Sequence, residues 1–280
     1  MGRLRDRGTL TSVLSLRERK AASESPHLMS KIDRAVILAA GRGTRMRELT
    51  ADLPKPMIEV RGKPVLQHIV EGLRDAGVQR FLIIVGYRAE AVQNFFGDGS
   101  RYKIDIQYAT QVAQDGTGRV VELSRNFVAD FPFVLAYGDI LVDPANYKRI
   151  VDLADGVEAL ISVTRGEDVS KGGAVFLNEQ MELVDLREKS KPGEAISPHL
   201  RQGYGGQAWY NAGLYAFRPS IFDFTAKLKP SPRGEYELTD AIRELAQSGK
   251  VRAGRAVKAL ELTGEWADVR DPEILARLNR

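Results

Sequence analysis

The segment that most constrains this chain is AVILAAGRGTRMRELTADLPKPM, from Ala35 to Met57. Five apolar residues in succession, Val36 to Ala40, predict a parallel strand covered on both faces, because only such a strand tolerates apolar side chains at every position. The run stops at Gly41-Arg42-Gly43-Thr44-Arg45. Residues without a Cβ let several backbone N–H groups converge on one anion, and Arg45 and Lys55 bring positive charge to the same place, so the loop is expected to hold phosphate. Pro54 and Pro56 stiffen the backbone around Lys55. No Gly-Lys-Ser/Thr follows the glycines, which excludes a Walker A loop, and the spacing is not the GxGxxG dinucleotide fingerprint. On these residues alone, a glycine-rich turn carrying solvated basic side chains stays open.

Composition removes several classes. The 280 residues suffice for one large α/β domain or two small ones. With no cysteine, a disulfide scaffold, a thiol nucleophile and a cysteine zinc site are excluded, and a reducing cytoplasmic location is expected. Histidine occurs only at His27, His68 and His199, which argues against a histidine metal cluster. No run approaches the roughly eighteen apolar residues of a membrane helix, so no membrane partner is expected. Residues 1–28 hold six Arg/Lys and three Asp/Glu, so they carry +3 of the formal net charge of +4. The remainder is nearly neutral and offers no basic face to nucleic acid. The tail reads as a disordered or weakly helical basic extension, with 29–280 as a single domain and Met29 as a candidate start.

From Ile32 onward strand and helix patterns alternate. Helices are expected at Pro64 to Ala76, Ala89 to Phe96 and Gly118 to Phe127, and strands at Phe81 to Val85, Ile104 to Ala109 and Phe133 to Ala136. His68 falls on the first helix as a boundary residue. This rhythm predicts a doubly wound sheet, whose ligands bind beyond the carboxyl ends of the strands, where the glycine loop and Asp139 both lie. Further on, a helix around Tyr147 to Leu153 and a strand at Glu158 to Thr164 continue the sheet. Ala174 to Leu177 and Glu182 to Arg187 flank Asn178-Glu179-Gln180 as a hairpin. Then come a strand at Tyr210 to Phe217, helices at Ile221 to Lys227 and Glu237 to Gln247, two short strands within Val251 to Leu262, and a helix at Glu273 to Leu278. The Gly/Gln-rich stretch 196–208 has no period and reads as a loop insertion.

Asp139 ends a buried strand after Gly138, and Asp268 follows Trp266 near another strand end. Two carboxylates at one point beside phosphates suit Mg²⁺, which takes one or two carboxylates plus phosphate oxygens and water. Spacing alone cannot join them, and a salt bridge for each is the competing reading.

The strings LAAGRGTRM, LPKPM, QVAQDGTG, YGD, the Glu188-Lys189 pair, NAGLY, EYELTD and WADV stand in the order seen in the sugar-1-phosphate nucleotidylyltransferases. Over Arg34 to Leu275 the chain resembles that family. The resemblance implies a Rossmann-like three-layer α/β/α fold with a mixed, mainly parallel central sheet and a small β-hairpin subregion over the sugar site. It also implies an enzyme that makes a nucleotide sugar and pyrophosphate from a nucleoside triphosphate (NTP) and a sugar 1-phosphate, with Mg²⁺ as cofactor. By similarity Ala40, Gly41, Gly43 and Thr44 hold the nucleotide, Arg45 and Lys55 the triphosphate, and Gln111, Gly116 and Thr117 form the base-reading loop. Asp139 and Asp268 resemble the metal ligands. Glu188 and Lys189 match the pair that meets the sugar hydroxyls and phosphate, while Gly173, Asn211 and Gly213 resemble the sugar pocket.

Without the resemblance, Gln111 reads as a solvated loop residue, Glu188-Lys189 as part of a solvated charge run, and Thr239 or Asp240 as a helix cap. Arg270-Asp271-Pro272 stands where the family commonly has Gly-Thr-Pro, placing a bulky cation beside Asp268, and Ser190 replaces a proline. UTP or dTTP with glucose 1-phosphate is the favoured substrate pair. Alternatives are GTP with mannose or heptose 1-phosphate, a non-sugar phosphate, and a catalytically silent regulator. A homo-oligomer is compatible with all of them.

Overall fold

The apolar run after Arg34 lies at the middle of the sheet. Strand β1 (Arg34–Ala39) pairs in parallel with β4 (Arg80–Val85) on one side and β6 (Phe133–Tyr137) on the other, and β5 (Asp105–Thr110) adds in parallel to β4. This is a computed structural model, and it describes residues 31–41, 43, 46, 53–153, 156–188, 208–249 and 255–280. Residues 31–280 cluster as one compact unit. The tail 1–28, Met29, and all of the 196–208 stretch except Ala208 fall outside the described residues.

Alternate residues of β1 serve two separate cores. Ala35, Ile37 and Ala39 face one, and Val36 faces the other. The first core is closed by α1 (Val65–Asp75), α2 (Ala89–Phe96) and α5 (Ala145–Val151). The second is closed by α3 (Thr117–Glu122), α4 (Arg125–Val128), α6 (Phe222–Thr225) and α7 (Leu238–Gly249). Helix, sheet and helix thus make three layers, which is why β1 shows no polar alternation. In α1 the buried set is Val65, Leu66, Ile69, Val70 and Leu73, the face expected from helical spacing. His68 on the same helix bonds the Val60 carbonyl through Nε2 at 2.8 Å, a structural contact.

Beyond β6 the sheet turns mixed. Strand β11 (Trp209–Phe217) runs antiparallel to β6, to β8 (Val157–Thr164) and to β9 (Ala174–Leu177). Strand β10 (Leu183–Arg187) closes the hairpin on β9, and β12 (Ala256–Glu261) runs parallel to β8. The hairpin is therefore part of the nine-stranded central sheet, continuous with it through β11.

Local differences from the sequence reading have physical causes. The helix expected at Gly118 to Phe127 is two short helices, broken where buried Ser124 turns its hydroxyl back onto the Val121 carbonyl at 2.6 Å. The Ile221 to Lys227 helix is a 3-10 turn at Pro219–Ile221 followed by one turn of α6. Of the two strands expected within Val251 to Leu262, the described residues hold one, β12. Four very short strands lacked any periodic signal: β2 (Glu59–Val60) with β3 (Lys63–Pro64), and β7 (Ile140–Val142) with β13 (Trp266–Asp268). Helix α8 (Pro272–Leu278) ends the chain, with Asp271 Oδ1 accepting from Ile274 N at 3.0 Å as its cap. Among the described residues no helix is long and apolar enough to cross a membrane.

Candidate active site

Strands β1 and β6 end together at the carboxyl edge of the sheet, where Gly138 N donates to Leu38 O at 2.9 Å. Asp139 follows, in the gap between β6 and β7. Strand β7 pairs antiparallel with β13 so that Ile140 faces Asp268, and Val269 N donates to Asp139 O at 2.9 Å. A two-stranded ladder thus joins the two carboxylates that sequence spacing could not.

Lys55 stands between them. A 3-10 turn at Lys55–Met57, entered through Pro54, sends its ammonium to Asp139 Oδ2 and, at 3.3 Å, to Asp268 Oδ1. Burial alone would lower the pKa of Lys55, but the two carboxylates outweigh it and hold it above the usual lysine value. Asp268 goes up as well: burial and the neighbouring Asp139 charge disfavour its ionised form more than Lys55 and Arg270 favour it. The sequence reading gave Lys55 to the triphosphate; here its partners are the carboxylates.

These groups lie in a cleft of about 470 Å³. Of the residues singled out from sequence, Ala40, Gly41, Lys55, Gln111, Gly116, Thr117, Asp139, Gly173, Glu188, Asn211 and Asp268 line it. Thr44, Arg45 and Lys189 fall outside the described residues. Gly43 accepts Met46 N on its carbonyl at 2.8 Å and is not among the lining residues.

At one end, Gln111 follows β5, with its N–H on Val85 O at 2.8 Å and its side-chain amide on Ala113 O at 2.8 Å. Gly116 takes φ +114, and a Cβ there would meet the backbone N and O of Tyr236 at 2.5 Å, so the loop requires glycine. The loop is stitched to the segment before α7 by Tyr236 N to Asp115 O and Gly118 N to Tyr236 O, each 2.8 Å, and Thr117 Oγ1 accepts Leu238 N at 3.2 Å.

At the other end, Asn211 N donates to Gly173 O at 2.9 Å, and the Asn211 carboxamide oxygen accepts from Tyr215 OH at 3.0 Å. The β11 register shifts between Asn211 and Tyr215, where Gly213 takes φ +81 and packs on the Tyr137 ring rather than lining the cleft. Glu188, just past β10, receives the Thr239 hydroxyl at 3.4 Å and the Arg233 guanidinium at 3.7 Å. Thr239 is thus a partner of Glu188, where the sequence suggested only a cap. Tyr215 is fully buried, whereas the Tyr210 hydroxyl, whose pKa burial pushes up to about 12, is part of the cleft wall.

Sequence reasoning missed Lys171, Arg233, Glu237 and Trp266 in the lining. It flagged Arg270 only as a departure from the family pattern. Arg233 lies two residues before the EYELTD string, and its guanidinium gathers Glu188, Glu235 and Glu237. Arg270 meets Tyr210 OH at 3.3 Å, Glu167 Oε2 at 3.4 Å and Asp268 Oδ2 at 3.6 Å.

Among the described residues no three His, Cys, Asp or Glu side chains group as a metal-holding cluster. The donor set is nevertheless chemically suited to a hard divalent cation that draws its other ligands from phosphate and water. Two carboxylates share one cleft, and one of them is destabilised in its charged form by the other.

The sequence profile of the family described as Nucleotidyl transferase matches residues 34–280. A bifunctional protein GlmU of Methanococcus maripaludis is 33% identical over 238 residues, covering 85% of this chain and 51% of that protein. The chain spans about half the length of such relatives. The UTP–glucose-1-phosphate uridylyltransferase AglF of Haloferax volcanii is 34% identical over 244 residues, covering 85% of this chain and 92% of AglF. The crystal structure of a UDP-glucose pyrophosphorylase complexed with UDP-glucose superposes with a TM-score of 0.74 at 22% identity, over 89% of this chain and 97% of that one, a likeness of fold.

Proposed function

Because the chain belongs to the nucleotidyl transferase family, we propose that it transfers a nucleotidyl group from an NTP to a sugar 1-phosphate, releasing pyrophosphate. The observation that carries this reading is the β7–β13 ladder, which sets Asp139 beside Asp268 between the Gln111–Thr117 loop and the Glu188–Asn211 end of one cleft. Asp139 and Asp268 would hold Mg²⁺, which when bound supplies positive charge to the reacting phosphates.

A phosphate oxygen of the sugar 1-phosphate attacks the α-phosphorus, and the bond to the departing pyrophosphate breaks. The attacking oxygen is already ionised at neutral pH, so no protein base is required. What the protein must overcome is repulsion: two unit charges about 4 Å apart cost roughly 4 kcal/mol at a surface-like dielectric. Lys55 and Arg233 bring cationic charge into the cleft, and Arg45 and Lys189 are assigned to the phosphates by the family resemblance. Gln111 and Gly116 are assigned to the base, and Glu188 with Asn211 to the sugar hydroxyls.

For substrates we favour UTP or dTTP with glucose 1-phosphate. The name of the AglF relative supports the uridylyl choice. The test is pyrophosphate release by purified protein with Mg²⁺ across NTPs and sugar 1-phosphates, phosphocholine included, with Asp139→Asn as control. One strong pair, lost in Asp139→Asn, is the expected result. Silence across the matrix with nucleotide sugars still bound would replace the enzyme with a nucleotide-sugar-binding regulator.

A further inference from the structure

We propose that Arg270 is a positioning residue for the Asp268 carboxylate, an inference that rests on reading Asp139 and Asp268 as the metal-holding pair. Asp268 is the last residue of a three-residue strand. The ladder with β7 fixes its backbone, but its carboxylate takes its orientation from what the two oxygens touch. Oδ1 meets Lys55 at 3.3 Å, and Lys55 is shared with Asp139. Oδ2 faces the Arg270 guanidinium at 3.6 Å, an ion-pair distance rather than a hydrogen bond.

Arg270 is itself held. Its side chain is 13% exposed, and its two terminal nitrogens reach Tyr210 OH at 3.3 Å and Glu167 Oε2 at 3.4 Å. A tight turn with Arg270 N on Asp268 O at 2.8 Å keeps the two residues together. The Tyr210 ring lies against Trp266 with centroids 5.3 Å apart, and Trp266 Nε1 donates to Ala212 O at 2.9 Å. The guanidinium therefore ties the Asp268 carboxylate to β11 and to the Glu167 loop, the wall at the Gly173–Asn211 end of the cleft. A cation arriving between Asp139 and Asp268 must displace Lys55 from them. Arg270 touches the opposite oxygen and stays in place, so it holds Asp268 when Lys55 cannot. Partners that orient a ligating carboxylate in this way change metal affinity by about 10–100-fold when removed.

The test titrates the full chain with Mn²⁺ as probe, reading free Mn²⁺ by electron paramagnetic resonance, in the wild type and in Asp139→Asn, Asp268→Asn, Arg270→Met and Arg270→Lys. Circular dichroism of each metal-free protein confirms that it folds. Asp139→Asn and Asp268→Asn are expected to abolish tight binding. Arg270→Met is expected to weaken it about tenfold, and Arg270→Lys to recover part of that loss by restoring one cationic donor. In pyrophosphate release, the Mg²⁺ concentration for half-maximal rate should rise in Arg270→Met in step with the Mn²⁺ result. Unchanged or tighter Mn²⁺ binding in Arg270→Met overturns the positioning role, because the guanidinium would then only neutralise Asp268. Unchanged binding in both carboxylate variants removes the metal pair itself, and this inference with it.

Discussion

Lys55 is the counterion of two carboxylates that come from positions 84 and 213 residues away in sequence. Lys55→Met would take the lysine from both, leaving Asp268, among the described residues, only the Arg270 guanidinium at 3.6 Å. Breaking a buried pair by removing one partner costs about 3–5 kcal/mol, and partial exposure of Asp139 and Asp268 reduces this to about 1–3 kcal/mol in the metal-free protein, measurable by urea denaturation. Asp268 behaves in the opposite sense. Its folded pKa is raised above the unfolded value of 3.8, so the stability it contributes is present below that value and lost as pH rises through the folded one. At neutral pH its ionised carboxylate is a liability. Metal-free Asp268→Asn should therefore melt at or above the wild-type temperature at pH 7, with the difference closing as pH falls towards 4, while pyrophosphate release drops by about a hundredfold or more. A wild-type protein more stable than Asp268→Asn at pH 7 would show that the Lys55 and Arg270 contacts outweigh burial.

At the scale of elements, the site depends on short pieces held by a few contacts each. The Gln111–Thr117 loop approaches the segment before α7 so closely that Gly116 has no room for a Cβ. Gly116→Ala is expected to cost about 1–3 kcal/mol through the strained positive φ and the clash with Tyr236. Its KM for the NTP should rise more than its KM for the sugar 1-phosphate, since the loop is assigned to the base. The β7–β13 ladder is only three residues long, and Trp266 anchors it to β11 through the indole N–H. Trp266→Phe keeps an aromatic ring but loses the indole N–H, a net cost of about 1 kcal/mol for the hydrogen bond alone. The expected signature is a small fall in melting temperature with a larger fall in activity, because the ladder carries Asp268.

For the molecule as a whole, the two cores divide labour. Phe222 stacks on Phe133 with ring centroids 5.7 Å apart, in the core beneath α6, and does not line the cleft. Phe222→Ala should cost about 3–5 kcal/mol in denaturation while leaving both substrate KM values near wild type in the protein that remains folded. That core, and the sheet it covers, were legible in the chain. Unbroken apolar runs at β1, β4 and β6 state that both faces are buried, the helical spacing in α1 states which side faces in, and Asn178-Glu179-Gln180 between two apolar runs states a hairpin. Each of these signals is local: it arises from contacts within a few residues, so it is written in periodicity and turn chemistry. The glycine loop and Asp139 were legible as a site for the same reason, because a buried strand must stop somewhere and those residues stand where it stops. What the sequence by itself could not determine was which distant groups meet. Asp268 joins Asp139 through strands too short to show a period, Lys55 pairs with both across intervening helices and strands, nothing in the sequence singled out Arg233, and Arg270 stood out only as a departure from the family pattern, without its partners. Only the tertiary structure decides such contacts, because their distances are set by the packing of the whole sheet and its helices rather than by any preference of the residues that finally touch.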